Sequence, residues 1–170
     1  MPLIEPCCTQ RHWPALRDKL KDNGTAMFHG YGDLALKELL PVILLPYCEA
    51  DMLLVAPTLP DRTAETLLYW LRRELPRMDG KSKYHIVNTL TLITHLSEKK
   101  SPLASTWLTA NPFPGRLTLR NVQQNDTALI LPDLALYGAI NLAYGGHFTA
   151  IATKNARLIE TLRSTYFRLH

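Results

Sequence analysis

The stretch from Thr127 to Thr153, TALILPDLALYGAINLAYGGHFTAIAT, constrains this chain more than any other. It holds three short apolar runs, TALIL, LALYGAINL and HFTAIAT, bounded by Pro132 and by the pair Gly145-Gly146. Apolar runs of this length between turn residues are strands rather than helices. So closely spaced, they are neighbours in one buried sheet.

The rest of the chain supplies the covering layers. Residues 51–57, DMLLVAP, form a continuous apolar run ended by proline, the pattern of a strand buried on both faces. Thr58 and Asp61 have capping-box spacing and open a helix over AETLLYWLRREL, with Leu67, Leu68, Trp70, Leu71 and Leu75 inward and Arg72, Arg73 and Glu74 at the rim. After the loop PRMDGKSK, Tyr84 to Thr91 is a strand. A helix capped by Ser101, with Pro102 at its first position, ends at Asn111-Pro112, and RLTLRNV is a short strand. KNARLIETLRSTYFRL closes the chain as a helix with Leu158, Ile159, Leu162, Tyr166 and Leu169 on one face.

Nearer the start, Trp13, Leu16 and Leu20 recur at helical spacing before the stop signal Asn23-Gly24, so residues 1–25 are an arm or short helix and 26–170 a single domain. Gly30 and Gly32 mark a turn, and a helix pattern from Asp33 carries Leu36, Leu39, Leu40, Ile43 and Leu44, interrupted by Pro41. The fold class is therefore α/β: a mixed, mostly parallel sheet flanked by helices on both faces.

Length and composition bound the rest. At 170 residues, 46% hydrophobic and 20% charged, the chain is one folded domain, neither disordered nor dependent on disulfides. Cys7, Cys8 and Cys48 are an odd set without CxxC spacing, and are expected as free thiols. No apolar run reaches the ~18 residues of a membrane span, and MPLIEPCCTQRHW lacks a signal's apolar core, so a cytoplasmic protein is expected. The net charge of +4 is uneven: residues 61–100 and 154–170 carry +3 each, and the remainder −2. That segregation suits a phosphate-bearing partner, with plain solubilising charge as the other reading.

The order Asp133, then Gly138-Ala139-Ile140-Asn141, then a turn, a strand and an amphipathic helix resembles the end of a phospholipase D superfamily half-domain. That family's signature is a His, a Lys two positions later and an Asp five beyond the Lys, then a glycine and an asparagine. Anchored on Asp133, the signature puts Asp126 in place of the His and Ala128 in place of the Lys, while Gly138 and Asn141 match. The resemblance implies a phospholipase D-like fold with a degenerate motif, and homodimers of single half-domains. Without His and Lys, neither nucleophile nor phosphate-neutralising cation remains for the family's covalent chemistry. A non-catalytic binding or scaffold module is the expectation, its partner nucleic acid or another protein.

Two alternatives stand beside it. A divergent phosphodiesterase or nuclease would use His147 with Asn141 and a basic residue from elsewhere, Asp133 being a further catalytic candidate; a structural subunit would be recruited through the N-terminal arm. His85, His95 and His147 are the histidines from which a substitute site is built, against the reading that they are satisfied or at the surface; none has metal-ligand spacing, and no metal or cofactor is expected. Asp51 and Asp133 lie at strand edges, where pairing as acids competes with capping of turns. For phosphate, the candidates are Arg72, Arg73, Arg77, Lys81, Lys83, Lys99 and Lys100, placed on one basic rim. Tyr84 is the one aromatic expected near them, so stacking of single-stranded bases has little support.

Overall fold

Residues 52–56 are at most 4% exposed, because they form the middle of a strand, β3 (Ala50–Thr58), that is hydrogen-bonded on both sides. A continuous apolar run is what such a position requires. The computed structural model of the protein describes residues 3–4, 20, 24–31, 49–85, 87–97, 99, 101–139 and 147–168. Around β3 the described elements are, in chain order, β1 (Leu3–Ile4), β2 (Thr25–Tyr31), α1 (Asp61–Arg72), β4 (Glu74–Pro76), β5 (Lys83–His85), β6 (Val87–His95), α2 (Pro102–Ala110), β7 (Leu117–Asn121), β8 (Ala128–Ile130), β9 (Ala135–Ala139), β10 (His147–Thr153) and α3 (Ala156–Phe167).

Among the described residues, eight strands form one sheet in the order β1-β2-β10-β9-β8-β3-β6-β7. Following the pairings across it, six strands run in one direction, and β8 and β10 run against them. The mixed, mostly parallel α/β sheet expected from the sequence is thus the architecture found. β3, β6 and β7 form its parallel block, joined by α1 and α2 as crossovers. β8, β9 and β10, expected from the 127–153 stretch as neighbouring strands, pair antiparallel.

Alternation along the strands builds two cores. Met52, Leu54, Leu90, Leu92 and Leu129 pack with Ala64, Leu67, Leu71, Ala104 and Leu108 of α1 and α2. On the other face Leu53, Val55, Ile93, Ala128 and Ile130 pack with Ile159 and Tyr166 of α3. A fully buried leucine such as Leu54 or Leu71 contributes about 1.5–3 kcal/mol relative to its exposed state.

Local details depart from the sequence reading where a distant partner intervenes. Thr58 belongs to β3, and Pro60 occupies the N-cap of α1 without a side-chain cap bond. No capping box forms, because the Asp61 carboxylate is turned to the other helix and accepts the Ala104 N–H of α2 at 2.9 Å. Ser101 stands at the N-cap of α2 as expected, yet makes no side-chain cap bond. Gly30 is not in a turn: all of β2 pairs with β10, and Gly30 lies opposite Phe148. Of the strand expected from Tyr84 to Thr91, the residues from Val87 on belong to β6 in the large sheet, while Tyr84 and His85 pair with Leu75 and Glu74 in a hairpin. Leu75 accordingly sits in β4, partly buried against the core.

Residues 77–82 are the expected loop, and its flanking Pro76 and Lys83 pair in that hairpin. The Asp79 carboxylate accepts the backbone N–H groups of Lys81 and Ser82, at 2.9 and 3.0 Å, and the Ser82 hydroxyl at 2.7 Å. These donors hold its pKa below the ordinary value of 3.8. Gly80, at φ +67°, takes the left-handed turn position.

From the expected N-terminal arm, Leu3–Ile4 pairs in parallel with β2, and helical Leu20 is buried in the core. The helix expected from Asp33, and Cys7, Cys8 and Cys48, lie outside the described residues. No described helix is long and apolar enough to cross a membrane.

Candidate functional site

In open α/β sheets, ligands settle at the carboxyl ends of the parallel strands. That end carries Thr58, His95 and Asn121, together with Asp126 just before β8 and His147 at the start of β10. Asp126, which stands where the signature has its His, is exposed on its own segment but tied to α3: the Tyr166 hydroxyl hydrogen-bonds it. Burial, then the Asp126 carboxylate, pushes the Tyr166 phenol from 10 up to about 12. Ala128, in the place of the Lys, is fully buried among Val55 and Ile130. Gly138, set against the signature's glycine in the sequence resemblance, has a φ of +132°, which side-chain-bearing residues rarely adopt.

Asp133 lies at the other end. It belongs to the tight turn between β8 and β9, where the Leu131 N–H donates to the Leu134 carbonyl at 2.8 Å. Thr153 pairs beside that turn and His147 begins the same strand six residues earlier, so about 20 Å of strand separates the two ends. Asn141 lies outside the described residues.

The three histidines are also apart. β6 and β10 are four strand spacings from each other, which sets His95 and His147 about 19 Å apart across the sheet. His85 belongs to the hairpin, with Nε2 3.7 Å from the Glu74 carboxylate and Nδ1 buried without a hydrogen-bond partner among the described residues. Asp51 is used within the sheet, accepting Thr89 Oγ1 at 2.7 Å and Asn88 Nδ2 at 3.2 Å. No group of three or more His, Cys, Asp or Glu converges among the described residues to hold a metal ion.

The cations are better gathered. Arg72 and Arg73 end α1, and Arg77, Lys81 and Lys83 follow on the hairpin, so five of the seven candidates share the edge where β3 and β6 begin. Arg77 is paired with Glu49 and stacks over Tyr84 at 5.6 Å, and Lys83 lies 3.8 Å from Glu74. Lys99 follows the far end of β6, nine residues and about 30 Å from that edge, and does not belong to the rim. Lys100 lies outside the described residues.

Beside this rim is a surface that the sequence reading missed. Tyr69 of α1 and Trp107 of α2 are 52% and 40% exposed and line a groove of about 390 Å³ with Leu68, Arg72 and Pro112. The Arg73 guanidinium lies over the Tyr69 and Trp70 rings, 5.8 Å from each. Tyr69 stands off the inward stripe of α1 and precedes Arg72 and Arg73 by three and four positions, the spacing that puts side chains on one helix face. That was the available signal. Trp107 carried none, because only the packing of α2 on α1 brings it to Tyr69.

No family model matches this sequence, and no curated protein does. Solved structures do. The chain superposes on a polyphosphate kinase from Porphyromonas gingivalis with a TM-score of 0.57 and 10% identity, over 96% of this chain and 29% of that one. It superposes on TrmBL2, an archaeal chromatin protein with a novel mode of DNA binding, with a TM-score of 0.51 and 14% identity, over 90% of this chain and 58% of that one. For NucT from Helicobacter pylori the TM-score is 0.49, at 11% identity over 85% and 94% of the two chains. This chain thus spans under two thirds of the first two. At such identities the likeness is one of fold, and the fold is phospholipase D-like.

Proposed function

We propose that the chain is a non-catalytic phospholipase D-like domain that binds nucleic acid through the rim formed by the end of α1 and the β4–β5 hairpin. The observation that carries this reading is the gathering of Arg72, Arg73, Arg77, Lys81 and Lys83 at one edge, at the opposite end of the sheet from Asp126. Cations so placed follow a phosphate backbone, whereas a carboxylate in the nucleophile's position repels it. The same fold within TrmBL2, which binds DNA, supports the reading. Pairing of two half-domains, as the family resemblance implies, and a cytoplasmic setting are part of it.

Retention of a labelled DNA duplex is expected to weaken steeply with salt. The triple variant Arg72→Glu, Arg73→Glu, Lys81→Glu reduces the slope of log K against log salt by about 0.9 for each phosphate that the protein ceases to neutralise. No retention at low salt would remove nucleic acid as the partner. Hydrolysis of a generic phosphodiester that disappears in His147→Ala would replace the binding reading with the phosphodiesterase one.

A further inference from the structure

We propose that the groove between α1 and α2 is a stacking site for single-stranded nucleic acid, seating successive bases on the two sides of Tyr69; this rests on the nucleic-acid reading above and names the form of nucleic acid. Tyr69 is a ridge between two hollows. One, of about 390 Å³, is walled by Trp107 and Leu68 and lined by Arg72. The second, of about 310 Å³, is walled by Trp70, over which Arg73 stands together with the Tyr69 ring.

The first hollow therefore combines aromatic walls with the Arg72 guanidinium in its lining, and at the second the Arg73 guanidinium lies over the same two rings that wall it. A single strand alternates a flat base with an anionic phosphate, and the groove answers both parts. A duplex turns its base faces inward onto each other and offers the groove only phosphates, so it gains from the arginines and not from the rings. Glu65 lines both hollows and disfavours phosphate there. The backbone then runs along Arg72 and Arg73 toward Lys81 on the hairpin, with the bases on the side of Glu65. Two large aromatic rings, each two-fifths exposed or more, in one groove beside two arginines is the juxtaposition that decides for this occupant. Met78, fully exposed at the hairpin tip, stands away from the groove and has no role in it.

Fluorescence anisotropy with labelled oligothymidylate, an abasic oligonucleotide of equal length and a duplex tests this. The wild-type protein should bind oligothymidylate tighter than the abasic strand by about tenfold or more, a difference on the order of 1.4 kcal/mol. Trp107→Ala and Tyr69→Ala should remove that preference while leaving duplex affinity and salt slope unchanged, whereas Arg72→Glu with Arg73→Glu should weaken all three ligands. Equal binding of the abasic and thymidine strands by the wild-type protein, which needs no variant, would overturn the stacking site and leave the basic rim standing. Binding of none of the three at low salt would overturn both. Capture of an apolar or proline-rich peptide by the groove, competing with no oligonucleotide, would likewise refute the assignment.

Discussion

The two faces of the sheet are covered by different means. Against α1 and α2 lies the larger cluster, in which Leu54, Leu67, Leu71, Leu90, Leu92 and Leu108 are almost completely withdrawn from water. α1 follows β3 and leads into β4 of the hairpin, and α2 lies between β6 and β7. Against α3 the cluster is smaller, and a cavity of about 430 Å³ remains beside the helix, lined by Asp51, Thr89, Thr91, Arg163 and Phe167 among others. α3 follows β10 and leads into no further strand among the described residues. Polar bonds fix it instead: Arg163 donates to the Leu131 carbonyl at 3.2 Å, Arg120 donates to the Phe167 carbonyl at 2.8 Å, and Tyr166 bonds Asp126. The two seats thus differ in kind: the first is filled by apolar packing, and the second is fixed in part by polar bonds.

Core truncations test this contrast most strongly. Leu71→Ala on α1 should cost about 3–4 kcal/mol in urea unfolding, and Ile159→Ala on α3 about 2 kcal/mol, within the span known for such cavities. Equal losses would mean that the two faces are packed alike. A smaller effect is expected where the helices of the first face meet. Asp61→Ala should cost about 1 kcal/mol and speed exchange at the Ala104 amide, because that N–H is deprived of its carboxylate cap. An unchanged exchange rate would show that α1 does not anchor α2 in this way.

The smallest effect belongs to α3 and appears only in alkali. The unfolded chain's phenol gives up its proton near 10, and folded Tyr166 near about 12. Between those values the unfolded state holds fewer protons, so the stability that Tyr166 contributes below pH 10 falls as the pH rises through that window. Titration of unfolding from pH 9 to 12 should show this decline in the native protein and lose it in Tyr166→Phe. A decline that persists in the variant would assign it to another group.

Much of this architecture was legible because it is local. The continuous run of β3 and the three closely spaced runs of 127–153 announce strands by length and punctuation, and Pro102 and Asn111 bound α2 correctly. What was not legible depends on a distant partner. Gly30 is a strand residue only because β10 arrives from more than a hundred positions away, and Asp61 caps α2 only because the two helices meet. The candidate site divides in the same way. The resemblance that sets Asp126 and Ala128 against a His and a Lys is a matter of sequence order, whereas the bond from Tyr166 to Asp126 and the full burial of Ala128 could not be read there. The cations could be counted, but Lys99 parts from the others only once β6 is known to lie between them. Trp107 and Tyr69 come from different helices, and no periodicity within either one pairs them.

β7 has a further consequence at the sheet's border. Among the described strands it pairs with β6 alone, so its outer row of amide and carbonyl groups is an open template for strand addition. Arg116 precedes it and Arg120 lies within it, but their guanidinium groups are engaged elsewhere, Arg116 by the carbonyls of Leu71, Val87 and Asn88 and Arg120 by that of Phe167. The border's repeating row of amides and carbonyls is therefore the place where one more strand, from this or another chain, would extend the sheet.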